Sequence, residues 1–222
     1  FIRELKETYS PEEIQQFYER TRLFPEDDLK AFLRNLPDTI RSYRCSLPPD
    51  VLPEAVDRAR RIVSSILEKR TRIPVPELRY LGHGHEGAVF TDGNRAFKYF
   101  YAGKANFQEE RLEFIRERIL DNPALRHVCR LFEIVEDAGE LIFVMEYAEG
   151  SAYRGGHLGD IFALLDECRR AEIAFTNFHP KNLIVTDDGL KLIDLGDSFV
   201  PYNEQEFLQM CRRAYLTYRW HF

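Results

Sequence analysis

Long apolar runs, paired cysteines and concentrated basic residues are all missing from this sequence. Because no apolar stretch approaches roughly eighteen residues, no membrane-spanning helix is expected. The chain contains four cysteines, which are Cys45, Cys129, Cys168 and Cys211. Their wide spacing does not match the paired ligands of a zinc site, and we expect reduced thiols in a protein of the cytoplasm.

The charge pattern predicts no nucleic-acid-binding surface. Lys and Arg number 31 against 37 acidic residues, for a net charge of −6, and the basic residues are scattered. No secretory signal is visible, but the sequence starts at Phe1 rather than Met, which indicates a trimmed or partial chain. What the chain does have is a hydrophobic content of 44%, which is typical of a globular protein with a core.

Residues 1–73 have a helical pattern. Ser-Pro-Glu-Glu at 10–13 predicts a helix start, because it combines a capping hydroxyl, a first-turn proline and an early glutamate. Apolar faces recur around 14–18 and 29–36, and a third is formed by Val56, Ala59, Val63 and Leu67. We predict a helical module packed on the next domain, with a partner- or substrate-docking element as the alternative. Prolines at 73–76 predict the boundary, giving domains 1–73 and 74–222.

A glycine-rich run, Leu-Gly-His-Gly-His-Glu-Gly at 81–87, follows this boundary. Alone it is a weak signal, because dinucleotide-binding folds place Gly-x-Gly-x-x-Gly at the start of a helix. Here residues 88–90 continue as a strand, and a turn at 91–94 leads into a second strand. The pattern therefore predicts a hairpin, on whose second strand Ala96 and Lys98 share one face.

The rest of the chain is organised around residues 175–197, FTNFHPKNLIVTDDGLKLIDLGD. Two short apolar runs joined by Asp-Asp-Gly at 187–189 predict another hairpin. Its pairing would bring Asn182 and Asp194 to the same end. Amide and carboxylate oxygens are the ligands that Mg²⁺ prefers when phosphates supply the others, so a magnesium site is predicted there.

Further elements complete the predicted pattern. Apolar runs predict a hairpin formed by residues 128–136 and 140–146. An acidic and basic helix with one apolar face is expected over 106–120, and other helices after the glycine pair at 155–156 and over 204–218. The second half of the chain is therefore expected to be mainly helical around the loops of residues 175–197.

Together these motifs resemble the protein kinase-like superfamily. The resemblance covers about residues 76–200 and implies an α+β, bilobal protein kinase-like fold. Such a fold would have a small antiparallel-sheet N-lobe over about 74–148, a reduced helical C-lobe over about 149–222, and an N-terminal helical extension. It implies ATP and Mg²⁺ as cofactors. No activation segment or Ala-Pro-Glu motif is recognisable after Asp197, so the second lobe is minimal or cut off.

The resemblance implies a role for each matching residue. Lys98 would reach the α- and β-phosphates, and Asn182 and Asp194 would hold the metal. A helix glutamate would pair with Lys98; the candidates are Glu109, Glu110 and Glu113, with Glu110 and Glu113 the better placed, and the choice stays open. Met145 would lie near the gatekeeper position, and the backbone of 146–148 would contact adenine. The full nucleotide site would comprise Gly82, Gly84, Gly87, Val89, Ala96, Lys98, Glu110, Glu113, Met145, Glu146 and Ala148.

The catalytic position departs from the family pattern. The family places a catalytic Asp five residues before the metal-binding Asn, where this chain has Asn177. An amide can hydrogen-bond a hydroxyl but cannot take its proton, so a crippled transferase that keeps nucleotide binding is predicted. Three accounts stay open: an engineered Asp-to-Asn change, a natural pseudokinase, or His179 or Asp197 acting as the base.

These residues lead to two main expectations. One is an ATP- and Mg²⁺-dependent phosphotransferase for a protein Ser or Thr hydroxyl, with a small alcohol as the other acceptor, present in active or inactive form. The other is a nucleotide-sensing pseudokinase whose N-terminal helices report to a partner. A plain interaction domain without nucleotide is the third reading. The resemblance implies a nucleotide and a protein as partners, in the cytoplasm or delivered into one.

Overall fold

The computed structural model describes residues 53–72, 77–84, 86–103 and 107–219. The first two predicted helices and the predicted boundary at 73–76 lie outside these residues. The third predicted helix is present as α1 (Pro53–Thr71). Its predicted apolar face is buried at Ala59, Val63 and Leu67, which packs the helix against the sheet that follows.

A five-stranded antiparallel sheet forms the first half of the structure. Its strands are β1 (Arg79–His83), β2 (Gly87–Thr91), β3 (Arg95–Phe100), β4 (Leu131–Asp137) and β5 (Glu140–Glu146). They lie in the order β1-β2-β3-β5-β4, so each predicted hairpin supplies neighbouring strands. The hairpin predicted from residue 128 begins at Leu131 instead. Val128 forms a parallel bridge with Leu192, which commits the preceding segment to the second half of the structure.

The two faces of the sheet have different tasks. On β3, Phe97 and Tyr99 join the apolar cluster under α1, whereas Ala96 and Phe100 belong to the main core on the other side. This alternation is the two-residue period of a strand. Lys98 therefore lies on the same side as Ala96, as predicted, and away from the helix that covers the sheet.

Helix α2 (Glu109–Arg118) links β3 to β4 and is shorter than the predicted helix over 106–120. Gln108 precedes it in an extended conformation and makes no side-chain cap hydrogen bond. Phe107 lies outside the helix, with its ring centroid 4.7 Å from that of Phe100. The helix buries Leu112 and Ile115, so one narrow apolar face holds it on the core.

The second half combines two helices with short strands. Helix α3 (Leu158–Arg170) and helix α4 (Glu204–Arg219) match the predicted helical segments. The strands are β6 (Ser151–Ala152), β7 (Ile173–Phe175), β8 (Leu183–Thr186), β9 (Gly189–Leu192) and β10 (Phe199–Pro201). They form two small antiparallel sheets, in the orders β6-β8-β9 and β10-β7.

The hairpin of β8 and β9 fixes the ends of the two loops that carry the predicted metal ligands. Its register pairs Leu183 with Leu192, so the residues just outside this pair lie side by side. The Ile193 N–H accordingly donates to the Asn182 carbonyl over 2.9 Å. Asn182 and the start of the Asp194 loop thus meet at one end of the hairpin, as the sequence predicts.

This architecture is the mixed helix and antiparallel-sheet class that the sequence predicts, arranged in two lobes. The five-stranded sheet and α2 form one lobe, and the described part of the second lobe is reduced to α3, α4 and short strands. Over the described residues, every helix is too short or too polar to cross a bilayer.

Candidate functional site

A cleft of about 810 Å³ lies between the sheet and the β8–β9 hairpin. Its volume is in the range of small-molecule sites, which are typically about 300–1,000 Å³. Its apolar lining residues are Leu81, Val89, Ala96, Met145, Ile184 and Ile193. The rest of the lining includes ionisable and amide side chains of the glycine-rich loop, β3 and the loops around β8 and β9, and we call this part of the lining the polar end.

Lys98 and Asp194 meet at the polar end of this cleft. The Lys98 Nζ lies 2.7 Å from Asp194 Oδ1, although the two residues come from opposite lobes. The lysine side chain is only 6% exposed. Burial alone would lower the pKa of Lys98, but the nearby carboxylates of Asp194 and Glu86 outweigh it and raise the pKa above its usual range. The amine is therefore a fixed positive charge at neutral pH.

Glu86 is the second carboxylate on the lysine, and the sequence reading missed it. Its Oε2 lies 3.0 Å from Lys98 Nζ. Burial raises the pKa of Glu86, the Lys98 charge opposes that rise, and a hydrogen bond with Asp197 adds to it. The available signal was a single acidic residue among the glycines of a loop expected to bind phosphates. A carboxylate there would repel phosphate groups unless it had another partner.

The predicted pairing of Lys98 with Glu110 or Glu113 is not what the structure contains. Both glutamates are exposed on α2, whose buried face is formed by Leu112 and Ile115. A carboxylate on the outer face of the helix cannot reach an amine beneath the sheet. The ion-pair partners of Lys98 are Glu86 and Asp194 instead.

A basic residue connects α2 to the second lobe. Arg111 donates through Nη2 to the backbone carbonyl of Asp197 and to that of Phe199, the latter over 2.9 Å. These carbonyls belong to the segment just after the Asp-Leu-Gly turn. The helix therefore holds this turn through its backbone, a contact for which the sequence alone gave no signal.

The predicted glycines of the loop fall into two groups. A Cβ on Gly87 would overlap the carbonyl of Tyr99, so close strand approach requires glycine there. Gly82 and Gly84, by contrast, have no atom within 4 Å of the place where a Cβ would lie. Both are half-buried and line the cleft, and the absence of a Cβ leaves room for a ligand to approach.

The predicted hinge also lines the cleft. Met145 is buried against the main core, and Glu146 and Ala148 follow it along the wall. The Glu146 N–H donates to the Arg130 carbonyl over 2.8 Å, so this donor is already used within the protein. A base in the cleft would have to use the remaining backbone groups of the hinge.

The loop at Asn177 forms the other wall of the polar end. Asn177 and His179 both line the cleft, and the Asn177 carbonyl accepts a 3.0 Å hydrogen bond from Asn182 Nδ2. Burial, followed by the charges of Lys181 and Arg213, lowers the pKa of His179 to about 4. The imidazole is therefore neutral at pH 7, and its Nδ1 accepts the Lys181 N–H over 3.1 Å.

These residues fit a magnesium–nucleotide complex. The hydrogen bond from Asn182 Nδ2 leaves the amide oxygen of that side chain for a cation, and Asp194 adds a carboxylate in the same cleft. No group of three or more His, Cys, Asp or Glu side chains suited to a metal occurs among the described residues. A donor set this small suits Mg²⁺, which takes its other ligands from water and substrate phosphates.

Comparisons with known proteins identify no family for this chain. No family model and no curated protein matches the sequence. Among solved structures, the chain is similar to the kinase domain of Mycobacterium tuberculosis PknI, in a cysteine-to-alanine variant. The two are 22% identical with a TM-score of 0.42, and the similarity covers 54% of this chain and 57% of that one. Such a similarity is too low to indicate an activity.

Proposed function

We propose that the chain is an ATP- and Mg²⁺-dependent, kinase-like phosphotransferase for a hydroxyl acceptor. The observation that carries this proposal is the 2.7 Å contact between Lys98 and Asp194 in a cleft that also has apolar lining residues. Phosphoryl transfer depends mainly on positioning and charge neutralisation, which these residues are suited to provide. The first candidate acceptor is a protein Ser or Thr, and the second is a small alcohol.

Each residue has a separate task in this proposal. When bound, Mg·ATP supplies the transferable phosphoryl group and a metal charge that neutralises the phosphates. Lys98 would bind phosphate oxygens, while Asn182 and Asp194 would hold the metal. The open backbone at Gly82 and Gly84 would allow the loop to lie against phosphates. Asn177 would orient the acceptor hydroxyl by a hydrogen bond without removing its proton.

We further propose that the segment before the sheet is a helical module, over residues 1–73, that contacts a protein partner or substrate. The packing of α1 on the outer face of the sheet supports this, because Ala59 and Val63 share a buried cluster with Phe97. This face lies opposite the cleft. A partner bound to α1 would be linked through that helix to β2 and β3, which carry the glycine-rich loop and Lys98.

Thermal unfolding with and without Mg·ATP tests nucleotide binding. A ligand at about 100 times its Kd stabilises a folded chain by about 2.7 kcal/mol. For a domain of this size we expect an increase of about 5–10 °C in Tm. Lys98→Met and Asp194→Asn should each lose this shift, and Lys69→Met, at an exposed lysine of α1, should keep it. Equal shifts in all four chains would contradict the proposal.

A nucleotide-binding pseudokinase is the second candidate. The observations that favour it are the amide at Asn177 and the imidazole of His179, whose pKa of about 4 makes it a weak base. This candidate shares nucleotide binding with the first and differs only in transfer. Introducing a carboxylate at position 177 separates the two, because only a transferase site would gain rate.

A further inference from the structure

The Lys98 amine is held from two sides by carboxylates on two different loops. Asp194 Oδ1 lies 2.7 Å away on the Asp-Leu-Gly turn, and Glu86 Oε2 lies 3.0 Å away on the glycine-rich loop. The side chains of Lys98 and Glu86 are 6% and 15% exposed. Because neither side chain can easily regain its contacts with water, these ion pairs hold the amine in a fixed orientation as well as attracting it.

The backbone fixes where the Glu86 carboxylate can lie. Its carbonyl accepts the Tyr101 N–H over 2.8 Å, and the next residue, Gly87, has no space for a Cβ against Tyr99. The glycine-rich loop is therefore clamped to β3 at this point. Gly82 and Gly84, on the other limb, have space for a Cβ, although Gly82 pairs with Val89 and the Gly84 N–H donates to the Gly87 carbonyl.

The Asp-Leu-Gly turn closes on the same carboxylate from the other lobe. A Cβ on Gly196 would overlap Glu86 Oε2 and lie 2.8 Å from Lys98 Nζ. Asp197, the next residue, is close enough to help raise the pKa of Glu86. Glu86 thus contacts both the phosphate-binding lysine and the turn that carries the predicted metal ligand.

Helix α2, which was predicted to supply the ion-pair partner of Lys98, makes other contacts. Glu110 and Glu113 are exposed, and the inward charged residue of α2 is Arg111, which binds the carbonyls of Asp197 and Phe199. No carboxylate of α2 is among the partners of Lys98 in the described structure.

We propose that Glu86 is the positioning residue for Lys98, in place of a glutamate from helix α2. The inference rests on the proposed function. Glu86 would act through the lysine, by directing its amine toward the phosphates, and through Asp197, by linking the glycine-rich loop to the metal-binding turn. The loop that covers the nucleotide would then also orient the lysine, so loop closure and lysine placement would occur together.

Calorimetric titration of Mg·ATP into variants of the full chain tests this role. We expect Glu86→Gln to raise the Kd about tenfold, and Glu86→Asp to recover part of the loss because it keeps the charge. Glu113→Gln tests the competing helix glutamate and should change the Kd less than twofold. Glu117→Gln, an exposed residue on the same helix, is the matched control.

A readout without nucleotide distinguishes orientation of Lys98 from a general loss of structure. In the free chain, Glu86→Gln should increase acylation of Lys98 by an amine-reactive ester, measured by mass spectrometry against Lys69 in the same sample. In an Asn177→Asp background, the same change should lower kcat more than it raises KM, because misdirected phosphate contacts matter most in the transition state.

The possible failures are distinguishable. If the unmodified chain binds no Mg·ATP, the proposed function fails and the inference fails with it. If the unmodified chain binds, but Glu86→Gln binds equally well or more tightly, only the inference is overturned, since Glu86 would then be neutral or compete with the phosphates. A loss of affinity on Glu113→Gln but not on Glu86→Gln would return the role to the helix.

Discussion

The two walls at the polar end of the cleft differ in charge. We name the two walls after their proposed roles, as the phosphate wall and the acceptor wall. The phosphate wall contains Lys98 between Glu86 and Asp194, with both contacts at 3.0 Å or less. The acceptor wall offers the amide of Asn177 and an imidazole, on His179, that is neutral at pH 7. One wall is built from paired ions, and the other has an amide at the position where the proposed function would call for a carboxylate.

Under the proposed function, this difference means that nucleotide binding and phosphoryl transfer depend on different residues. Paired charges on the phosphate wall can hold a nucleotide and a metal whether or not a proton is taken from an acceptor. Proton removal needs a group of suitable pKa within hydrogen-bond reach, and an amide has none. Under the proposed function, nucleotide binding should therefore persist even where transfer is slow.

The largest expected effect comes from making the acceptor wall acidic. Asn177→Asp should raise phosphoryl transfer by about 10²–10⁴-fold, which is the usual contribution of a general base. The Kd for Mg·ATP should change little, because the substitution leaves Lys98 and Asp194 in place. Transfer of the γ-phosphate to protein and small-alcohol pools measures the first, and calorimetry measures the second. Unchanged transfer together with intact nucleotide binding would favour the pseudokinase.

Breaking the phosphate wall should cost stability as well as binding. Lys98→Met leaves the carboxylates of Glu86 and Asp194 facing each other without the amine. Removing one member of a buried ion pair costs about 3–5 kcal/mol in the free energy of unfolding, and we expect the lower end here because Asp194 is 28% exposed. Urea unfolding measures this cost. Lys69→Met, at a lysine whose side chain is 68% exposed, should change stability by less than about 0.5 kcal/mol.

Two glycine variants distinguish a glycine that the fold requires from one that only lines the cleft. Gly87→Ala should lose about 1–3 kcal/mol of unfolding free energy, because its Cβ meets the Tyr99 carbonyl. Gly84→Ala should lose less than about 0.5 kcal/mol, since no atom lies within 4 Å of its Cβ. Chemical denaturation compares the two. A similar loss in both would mean that the loop is not clamped at Gly87 alone.

The smallest expected effect is a pH dependence from the acceptor wall. His179 has a pKa of about 4 in the folded chain against an ordinary value of 6.5. Between these values the unfolded chain binds a proton that the folded chain does not, so stability should fall as pH drops from about 6.5 to about 4. Because the ring is partly solvated, we expect about 1 kcal/mol. In His179→Gln, urea unfolding at pH 7 and pH 5 should show a correspondingly smaller difference, and an identical difference would refute the assignment.

The local patterns predicted the elements well. The hairpin of β8 and β9 follows from two apolar runs around an Asp-Gly turn, and its register places Asn182 beside the Asp194 loop. The shared face of Ala96 and Lys98 follows from strand alternation. These features depend on residues close in sequence, which is why the sequence alone was sufficient.

The ion-pair partner of Lys98 could not be predicted in the same way. Whether a carboxylate reaches the amine depends on how α2 is rotated on the core, and the buried face of that helix places Glu110 and Glu113 outside. Glu86 lies beside Tyr101 at the end of the β2–β3 pair rather than opposite Lys98, so its contact with the amine depends on side-chain placement that no periodic pattern predicts. The contacts of Arg111 across the lobes were missed for the same reason.

The most direct test of the central claim is a calorimetric titration of ATP into the unmodified chain, with Mg²⁺ and then with a chelator. The account predicts saturable binding that weakens when Mg²⁺ is removed and that is lost in Asp194→Asn. Absence of saturable binding at millimolar ATP, or binding that ignores both Mg²⁺ and Asp194, would contradict it.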